Sequence, residues 1–199
     1  MFTYAGGSFI TGPLGDRFSP SFIVGLGLLG STVCLLLITI GASVPALADS
    51  ASLGLFWFAG TQFIHGFFQA TGGPVNTAIM GNWFSKKGRG LIFGLWTCHQ
   101  YVGDIVAAFA GAWILDSSLN WRMAIVIPLV LNGLWAAVNL SCVPNRPQDI
   151  GLETAETREQ EAKALAAGKS KDSEPSPISI KEAFLLPNVR SNNIVVYFF

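Results

Sequence analysis

Polar side chains recur at helical spacing inside an apolar stretch of the chain. Residues 54–82 contain no Asp, Glu, Lys or Arg, yet five residues in them lie three, four, four and three positions apart: Gln62, His65, Gln69, Gly73 and Asn76. This spacing places the five residues, named here the polar stripe, on one face of an α-helix. Because amides and an imidazole are costly against lipid, the stripe predicts either interhelical hydrogen bonds or the wall of a water-filled cavity. The sequence favours neither interpretation.

A second polar group lies in residues 90–115, at His99, Gln100 and Asp104. Gln100 and Asp104 are four residues apart and share a helix face, whereas His99 lies roughly 140° around the helix from Asp104. A carboxylate within hydrocarbon must face a cavity or a partner, so these residues predict the lining of a polar pathway, or else a structural contact between helices. No pairing of a nucleophile with a base, and no set of metal ligands, occurs at usable spacing. We therefore expect neither an enzyme nor a metal or other cofactor.

Four apolar stretches must position these groups. Residues 22–43, 54–82, 90–115 and 123–143 are each long enough to cross about 30 Å of hydrocarbon as a helix. Gly72, Gly73 and Pro74 predict a kink in the second stretch, since proline removes a backbone donor. The fold class predicted is all-α membrane. Residues 1–11 and 194–199 are apolar but too short to span, which predicts a piece of a larger membrane protein cut within two helices.

The charges of the chain are strongly segregated. The chain has 12 basic and 12 acidic residues among 199, and 15 of these 24 charges fall in residues 144–190. A net charge of zero argues against nucleic acid as a partner. The chain is therefore divided into a transmembrane bundle at residues 1–143, a cytoplasmic loop at 144–190 and the start of a further helix at 191–199.

The distribution of basic residues predicts the orientation of the helices. Residues 12–21, residues 84–89 and the segment after Val143 carry Lys or Arg, whereas residues 44–53 and 116–121 carry only acidic charges. By the positive-inside rule, the first three of these segments are cytoplasmic.

Small residues recur at two places within the apolar stretches. Gly25, Gly27 and Gly30 form a GxGxxG pattern, which in an uncharged span indicates close helix packing rather than a dinucleotide site. Gly103, Ala107 and Gly111 lie four residues apart and predict the same kind of packing.

Several motifs, in order along the chain, resemble one family of membrane proteins. The segment Gly12-Pro-Leu-Gly-Asp16-Arg17 resembles the signature of the major facilitator superfamily between its second and third helices, although Ser21 stands where the family has a basic residue. The resemblance is narrowed to the branch of sugar-phosphate exchangers and glycerol-3-phosphate transporters by GFFQATGGP at 66–74, MGNWFSKKGRG at 80–90, WTCHQYVG at 96–103 and PQDIGL at 147–152.

The resemblance implies an antiporter that exchanges an organophosphate for inorganic phosphate by alternating access. The chain would then hold the second to sixth helices of an N-terminal bundle, without the first, followed by the central loop. Tyr4 matches a substrate-facing tyrosine of bacterial relatives, and Ser8 stands where those relatives have a lysine. Their histidine of the fifth helix aligns with Gln100, one position after His99.

The expected site residues divide into two groups. The substrate pathway is predicted at Tyr4, Gln69, Asn76, His99, Gln100 and Asp104, and the cytoplasmic gate motif at Gly12, Asp16 and Arg17.

The expected partners are the lipid bilayer, a small organophosphate, inorganic phosphate and the remainder of the same transporter. By family, the endoplasmic reticulum is the expected membrane, with plastid or plasma membrane as alternatives. The 199-residue chain alone is expected to be inactive, because its predicted spans offer no Arg or Lys at mid-membrane to clamp a phosphate. The alternatives are a scaffold or regulator without transport activity and a facilitator for a non-phosphorylated solute.

Overall fold

The computed structural model describes residues 2–84 and 89–152, and all of the regular structure in this part of the chain is helical. The chain divides into two compact units, Met1–Glu153 and Thr154–Phe199, and every described helix belongs to the first. The helices are α1 (Phe2–Arg17), α2 (Pro20–Gly41), α3 (Pro45–Asp49), α4 (Ala51–Gln69), α5 (Gly72–Trp83), α6 (Arg89–Asp116) and α7 (Met123–Cys142), followed by a short 3-10 helix at Pro147–Ile150.

Helix α2 is the centre of the bundle and packs against α1, α4, α5 and α7. Its glycines allow these approaches. A Cβ built at Gly27 would lie 2.8 Å from the carbonyl oxygen of Phe68, and one built at Gly30 would meet the Phe68 ring. At Gly25 a Cβ would meet the side chain of Leu140 in α7. The packing interpretation of the GxGxxG pattern is therefore confirmed.

Helix α1 is longer than its apolar composition indicates. We expected residues 12–21 to form a loop, but α1 continues to Arg17 and the connection to α2 is only Phe18 and Ser19. Pro13 lies inside α1 without ending it, and the Phe18 N–H still donates to the Leu14 carbonyl at 2.9 Å. The φ angle that proline imposes is close to the helical value, so the helix can continue through it with one hydrogen bond fewer. Residues 44–53 were also expected to be a loop, and they include α3.

The predicted kink coincides with an interruption of two residues between α4 and α5, where Ala70 and Thr71 keep right-handed helical backbone angles. Pro74 has no N–H, so it cannot donate to the carbonyl of Ala70 four residues earlier. The hydroxyl of Thr11 in α1 donates to this carbonyl instead, at 2.9 Å and in a buried position. The helix is therefore interrupted at Ala70 and Thr71, where a neighbouring helix satisfies the backbone group that proline leaves unpaired.

The bundle buries few large apolar side chains, among them Ile23, Val24 and Val75, and leaves many exposed. Small and hydroxyl-bearing residues are buried, including Thr11, Ser31 and Thr61, while Phe56 and Leu131 are among many large apolar side chains left exposed. Small residues inside and apolar residues outside are typical of helices that pack in lipid. Among the described helices, α2 and α7 are long and apolar enough to cross a membrane by length and composition.

Both ends of α2 are held by residues that flank α7. At the amino end, the side-chain oxygen of Asn145 accepts the Ser21 N–H at 2.6 Å, and its amide nitrogen donates to the Ser19 hydroxyl at 2.8 Å. At the carboxyl end, the Arg122 guanidinium donates to the Ala42 carbonyl at 2.7 Å. An acceptor at a helix amino end and a cation at a carboxyl end complement the unpaired backbone groups there.

Part of the sequence predictions falls on residues that the structure does not describe. Residues 85–88 of the basic segment, most of the cytoplasmic loop predicted at 144–190 and the start of a further helix at 191–199 all lie outside the described residues.

Candidate functional site

Three members of the polar stripe form a hydrogen-bonded chain along α4, and the other two, Gly73 and Asn76, lie in α5. The Nδ1 atom of His65 lies 3.0 Å from Oε1 of Gln62, and its Nε2 lies 3.2 Å from Nε2 of Gln69. In this orientation of the two amides, Nδ1 of His65 donates to Gln62 and Nε2 accepts from Gln69. His65 is buried, whereas the two glutamine side chains are exposed on either side of it.

These hydrogen bonds bear on the choice between interhelical hydrogen bonds and a cavity wall, which the sequence left open. Within the described residues they run along α4 itself rather than to another helix. The His65 imidazole holds the nitrogen of the Gln69 amide by a hydrogen bond, and the Gln69 side chain is otherwise exposed. The stripe therefore presents an oriented polar surface on α4, and its assignment to a cavity wall stays a prediction.

The structure brings Tyr4 to the same surface. The first turn of α1 packs on the α4–α5 junction, and a Cβ built at Gly73 would lie 2.9 Å from the Tyr4 hydroxyl. Gly73 follows Gln69 by four residues, about one helical turn. Asn76 follows Gly73 by three residues and is half-buried. Tyr4 thus meets the polar stripe at Gly73, next to the helix interruption, and the assignment of these residues to a substrate pathway stays a prediction.

The residues predicted on α6 are not gathered into this surface. His99, Gln100 and Asp104 are all exposed, and α6 makes its main contact with α7. The nearest partners of His99 belong to α6 itself: Nδ1 contacts the carbonyl oxygen of Trp96, and the two rings lie 5.2 Å apart. Their assignment to a substrate pathway stays a prediction.

The small residues of α6 behave differently from those of α2. In the described part of the chain, no atom lies within 4 Å of a Cβ built at Gly103 or at Gly111. The close packing predicted for this triplet is therefore wrong within the described part, because α6 presents the triplet to open space there.

The predicted gate motif lies at the end of α1. A Cβ at Gly12 would make an ordinary contact with Pro74, at 3.7 Å, so this glycine is not the tightest approach of the two helices. Asp16 and Arg17 are exposed, and the described residues give neither of them an ion pair. Their role as a gate stays a prediction.

Three other residues of α1 make its closest contacts with the α4–α5 junction. Gly7, Thr11 and Gly15 are the buried residues of α1 and recur every four positions. A Cβ at Gly7 would lie 2.7 Å from the Cβ of Ala70, and one at Gly15 would lie 3.0 Å from Val75. The four-residue recurrence of small side chains was the signal that could have identified this face of α1.

With the geometry in place, the sequence can be compared with known proteins. The chain belongs to the Major Facilitator Superfamily, whose family model matches residues 1–199. It is 28% identical to the Arabidopsis thaliana protein named "Putative glycerol-3-phosphate transporter 1", over 98% of this chain and 38% of that protein. It is 30% identical to sugar phosphate exchanger 3 of Mus musculus, over 92% of this chain and 36% of that protein.

A third relative extends the same pattern. The chain is 27% identical to the glucose-6-phosphate exchanger SLC37A2 of Bos taurus, over 96% of this chain and 39% of the relative. The chain thus spans less than two-fifths of the length of these three relatives. No solved structure gives a significant match. The resemblance seen in the motifs is confirmed at the level of the family.

Proposed function

We propose that the protein is a multi-pass membrane transporter that exchanges a phosphorylated small molecule, a sugar phosphate or glycerol 3-phosphate, for inorganic phosphate. The observation that carries the proposal is the meeting of Tyr4 with the polar stripe at the broken α4–α5 helix, in a chain of the Major Facilitator Superfamily. The relatives named above as transporters and exchangers supply the solute class. Alternating access about a site near the midplane is the mechanism.

The chemistry of the site follows from its donors. The Tyr4 phenol and the Gln69 amide can both donate to phosphate oxygens. His65 holds the Gln69 amide in place, and Asn76 adds a second amide beyond the break. His99, Gln100 and Asp104 of α6 complete the pathway, with Gly12, Asp16 and Arg17 as the cytoplasmic gate. Such a transporter makes and breaks no covalent bond, so it needs neither a cofactor nor a metal and is not an enzyme.

The partners of the protein and its membrane form the next part of the proposal. Its exposed large apolar side chains make the lipid bilayer the first partner. The other partners are the organophosphate, inorganic phosphate and the remainder of the same transporter. The endoplasmic reticulum remains the proposed membrane.

One observation favours a second candidate, a facilitator for a solute without phosphate. The arginines in the described part of the chain all lie at or beyond helix ends, and none belongs to the polar stripe: Arg17, Arg89, Arg122 and Arg146. Phosphate sites usually hold an Arg fork. A stripe built from amides, an imidazole and a phenol would also suit a neutral hydroxylated solute.

Counterflow in proteoliposomes tests the proposal and separates the two candidates. We expect the protein, expressed from its complete coding sequence, to exchange external radiolabelled phosphate for internal phosphate, and sugar phosphates or glycerol 3-phosphate to compete. Tyr4→Phe should raise the half-saturating phosphate concentration about three- to tenfold, as expected for one lost hydrogen bond. Tyr101→Phe is the matched control, because Tyr101 is exposed on α6, whose main contact is α7.

Two results would count against the proposal. If phosphate is not exchanged and a neutral sugar is transported, the second candidate is correct. If the two tyrosine variants change phosphate exchange equally, Tyr4 has no special place in the pathway.

A further inference from the structure

Two glycines hold the first turn of α1 against the broken helix. A Cβ at Gly66 would meet the Thr3 side chain and would lie 3.7 Å from the backbone nitrogen of Tyr4. A Cβ at Gly73, seven residues later, would lie 2.9 Å from the Tyr4 hydroxyl oxygen and 4.0 Å from the ring carbon that carries it. Because Gly66 and Gly73 have no side chains, Thr3 and Tyr4 can pack directly against the backbone of α4 and α5.

The two adjacent glycines of α5 differ in this respect. A Cβ at Gly72 would have nothing within 4 Å among the described residues, whereas at Gly73 it would be closer to the phenol oxygen than real side chains approach. A methyl group at 73 must therefore displace the phenol, and a methyl group at 72 need displace nothing.

Helix α1 as a whole is held in place, so it does not move to relieve the contact between a methyl group at 73 and the Tyr4 phenol. One turn further along α1, Gly7 is in close contact with Ala70, and Thr11 donates its hydroxyl to the Ala70 carbonyl. These contacts fix α1 against the helix break. The Tyr4 side chain is 38% exposed, so it has open space on its other side and can swing outward.

We propose that Gly73 is a positioning residue for Tyr4: its missing side chain lets the phenol hydroxyl lie against the first turn of α5, beside the polar stripe. This inference rests on the proposed function in one respect, that the Tyr4 hydroxyl contributes to solute binding. A side chain at 73 then moves a binding group without removing it. Its effect should fall on the half-saturating concentration rather than on the maximal exchange rate, because the lost contact is one made in the bound state.

The transport test is a double-mutant cycle with inorganic phosphate as the probe. Gly73→Ala should raise the half-saturating phosphate concentration by at most the about three- to tenfold rise expected for Tyr4→Phe, since it shifts the phenol hydroxyl and Tyr4→Phe removes it. Gly72→Ala should leave it unchanged. The double variant Tyr4→Phe with Gly73→Ala should be no worse than Tyr4→Phe alone, because the oxygen that the methyl group would meet is absent. Additive effects of the two changes would overturn the proposal.

A second measurement keeps the inference separate from the proposed function. With 3-fluorotyrosine placed at position 4 only, Gly73→Ala should shift the fluorine resonance and Gly72→Ala should not. If the resonance shifts but neither the wild type nor any variant exchanges phosphate, the contact of Gly73 with Tyr4 stands and the proposed function fails. An unshifted resonance, or a shift without any change in phosphate half-saturation in an active protein, overturns the positioning role.

The folding of the variants is also informative. If Gly73→Ala does not fold but the double variant with Tyr4→Phe does, the clash acts through the phenol oxygen, as proposed. If neither folds, Gly73 serves a contact other than Tyr4 and the proposal is wrong.

Discussion

Helices α2 and α6 both contain groups of small residues, but these residues are closely packed in α2 and unpacked in the described part of α6. Both have small residues at short, regular spacings. In α2 the glycines at 25, 27 and 30 are all in close contact with neighbours, whereas in α6 the glycines at 103 and 111 have nothing within 4 Å among the described residues. A small-residue pattern thus permits a close approach, but it does not specify the partner that approaches.

The sharpest way to break this comparison is to fill the same volume in each helix. Gly27→Val should destabilise the fold by about 3 kcal/mol, because its Cβ would lie 2.8 Å from the Phe68 carbonyl oxygen, a backbone atom that cannot turn away. Gly103→Val makes the same change of residue type in α6, where the described residues leave space.

The two variants should therefore melt at clearly different temperatures in detergent, followed by tryptophan fluorescence. Equal losses of stability would show that α6 is packed as closely as α2 in the folded protein, against parts of the chain that are not described.

A second contrast concerns threonine hydroxyls in the two regions. Thr11→Val should cost about 2 kcal/mol, because it leaves the Ala70 carbonyl at the helix break without its hydrogen-bond donor. Thr97→Val in α6 should cost little, since the Thr97 hydroxyl donates to Phe93 within its own helix, where the backbone ladder already supplies a donor.

Thr11→Ser retains the hydroxyl and is expected to keep more of the stability than Thr11→Val. Unfolding free energies from denaturant titration would measure all three variants. A valine at 11 that matched the serine in stability would mean that the break does not depend on this bond.

The amino end of α2 gives a smaller expected effect. Asn145→Ala should destabilise the protein by about 1 kcal/mol, the usual value for a lost amino-terminal cap, because Ser21 loses the acceptor for its N–H. Asn145→Asp keeps an acceptor at that place and should retain most of the stability. Hydrogen exchange of the Ser21 amide is the direct measurement, and an unchanged rate in Asn145→Ala would exclude the cap.

The smallest effect is expected in α6. Asp104 is exposed and forms no ion pair with the described residues, so Asp104→Asn should change the unfolding free energy by less than about 0.5 kcal/mol. A large gain in stability would indicate that the carboxylate lies in hydrocarbon, and a large loss would indicate a cationic partner. Both results would be read from the same denaturant titrations.

The sequence predicted those features that depend on neighbours close along the chain. The spans that became α2, α6 and α7 agree with the observed helices to within two residues at each end. The kink near Pro74 was predicted because proline acts on the carbonyl four residues before it. The shared face of Gln62, His65 and Gln69 was predicted from their spacing, but the hydrogen bonds that join them within α4 were not.

The features that escaped prediction join residues distant in sequence. The hydroxyl of Thr11 reaches a carbonyl 59 residues away, and Asn145 reaches an N–H 124 residues away. Neither residue type is unusual where it stands, so only the folded arrangement reveals its partner. The continuation of α1 to Arg17 was missed because Pro13 and the polar motif after it are typical of loops, although both are compatible with helical φ.

The tethering of α2 from both flanks of α7 has a consequence for the order in which the chain can fold. The ribosome completes α2 well before Arg122 and Asn145 exist, and the latter follows Ser21 by 124 residues. At a synthesis rate of 5–20 residues per second, that interval is roughly 6–25 s. Throughout it, the amino end of α2 lacks its final partner, whereas Arg122, which follows Ala42 by 80 residues, is made earlier. The helix on which the others pack is therefore secured among the last, after α7 has been made.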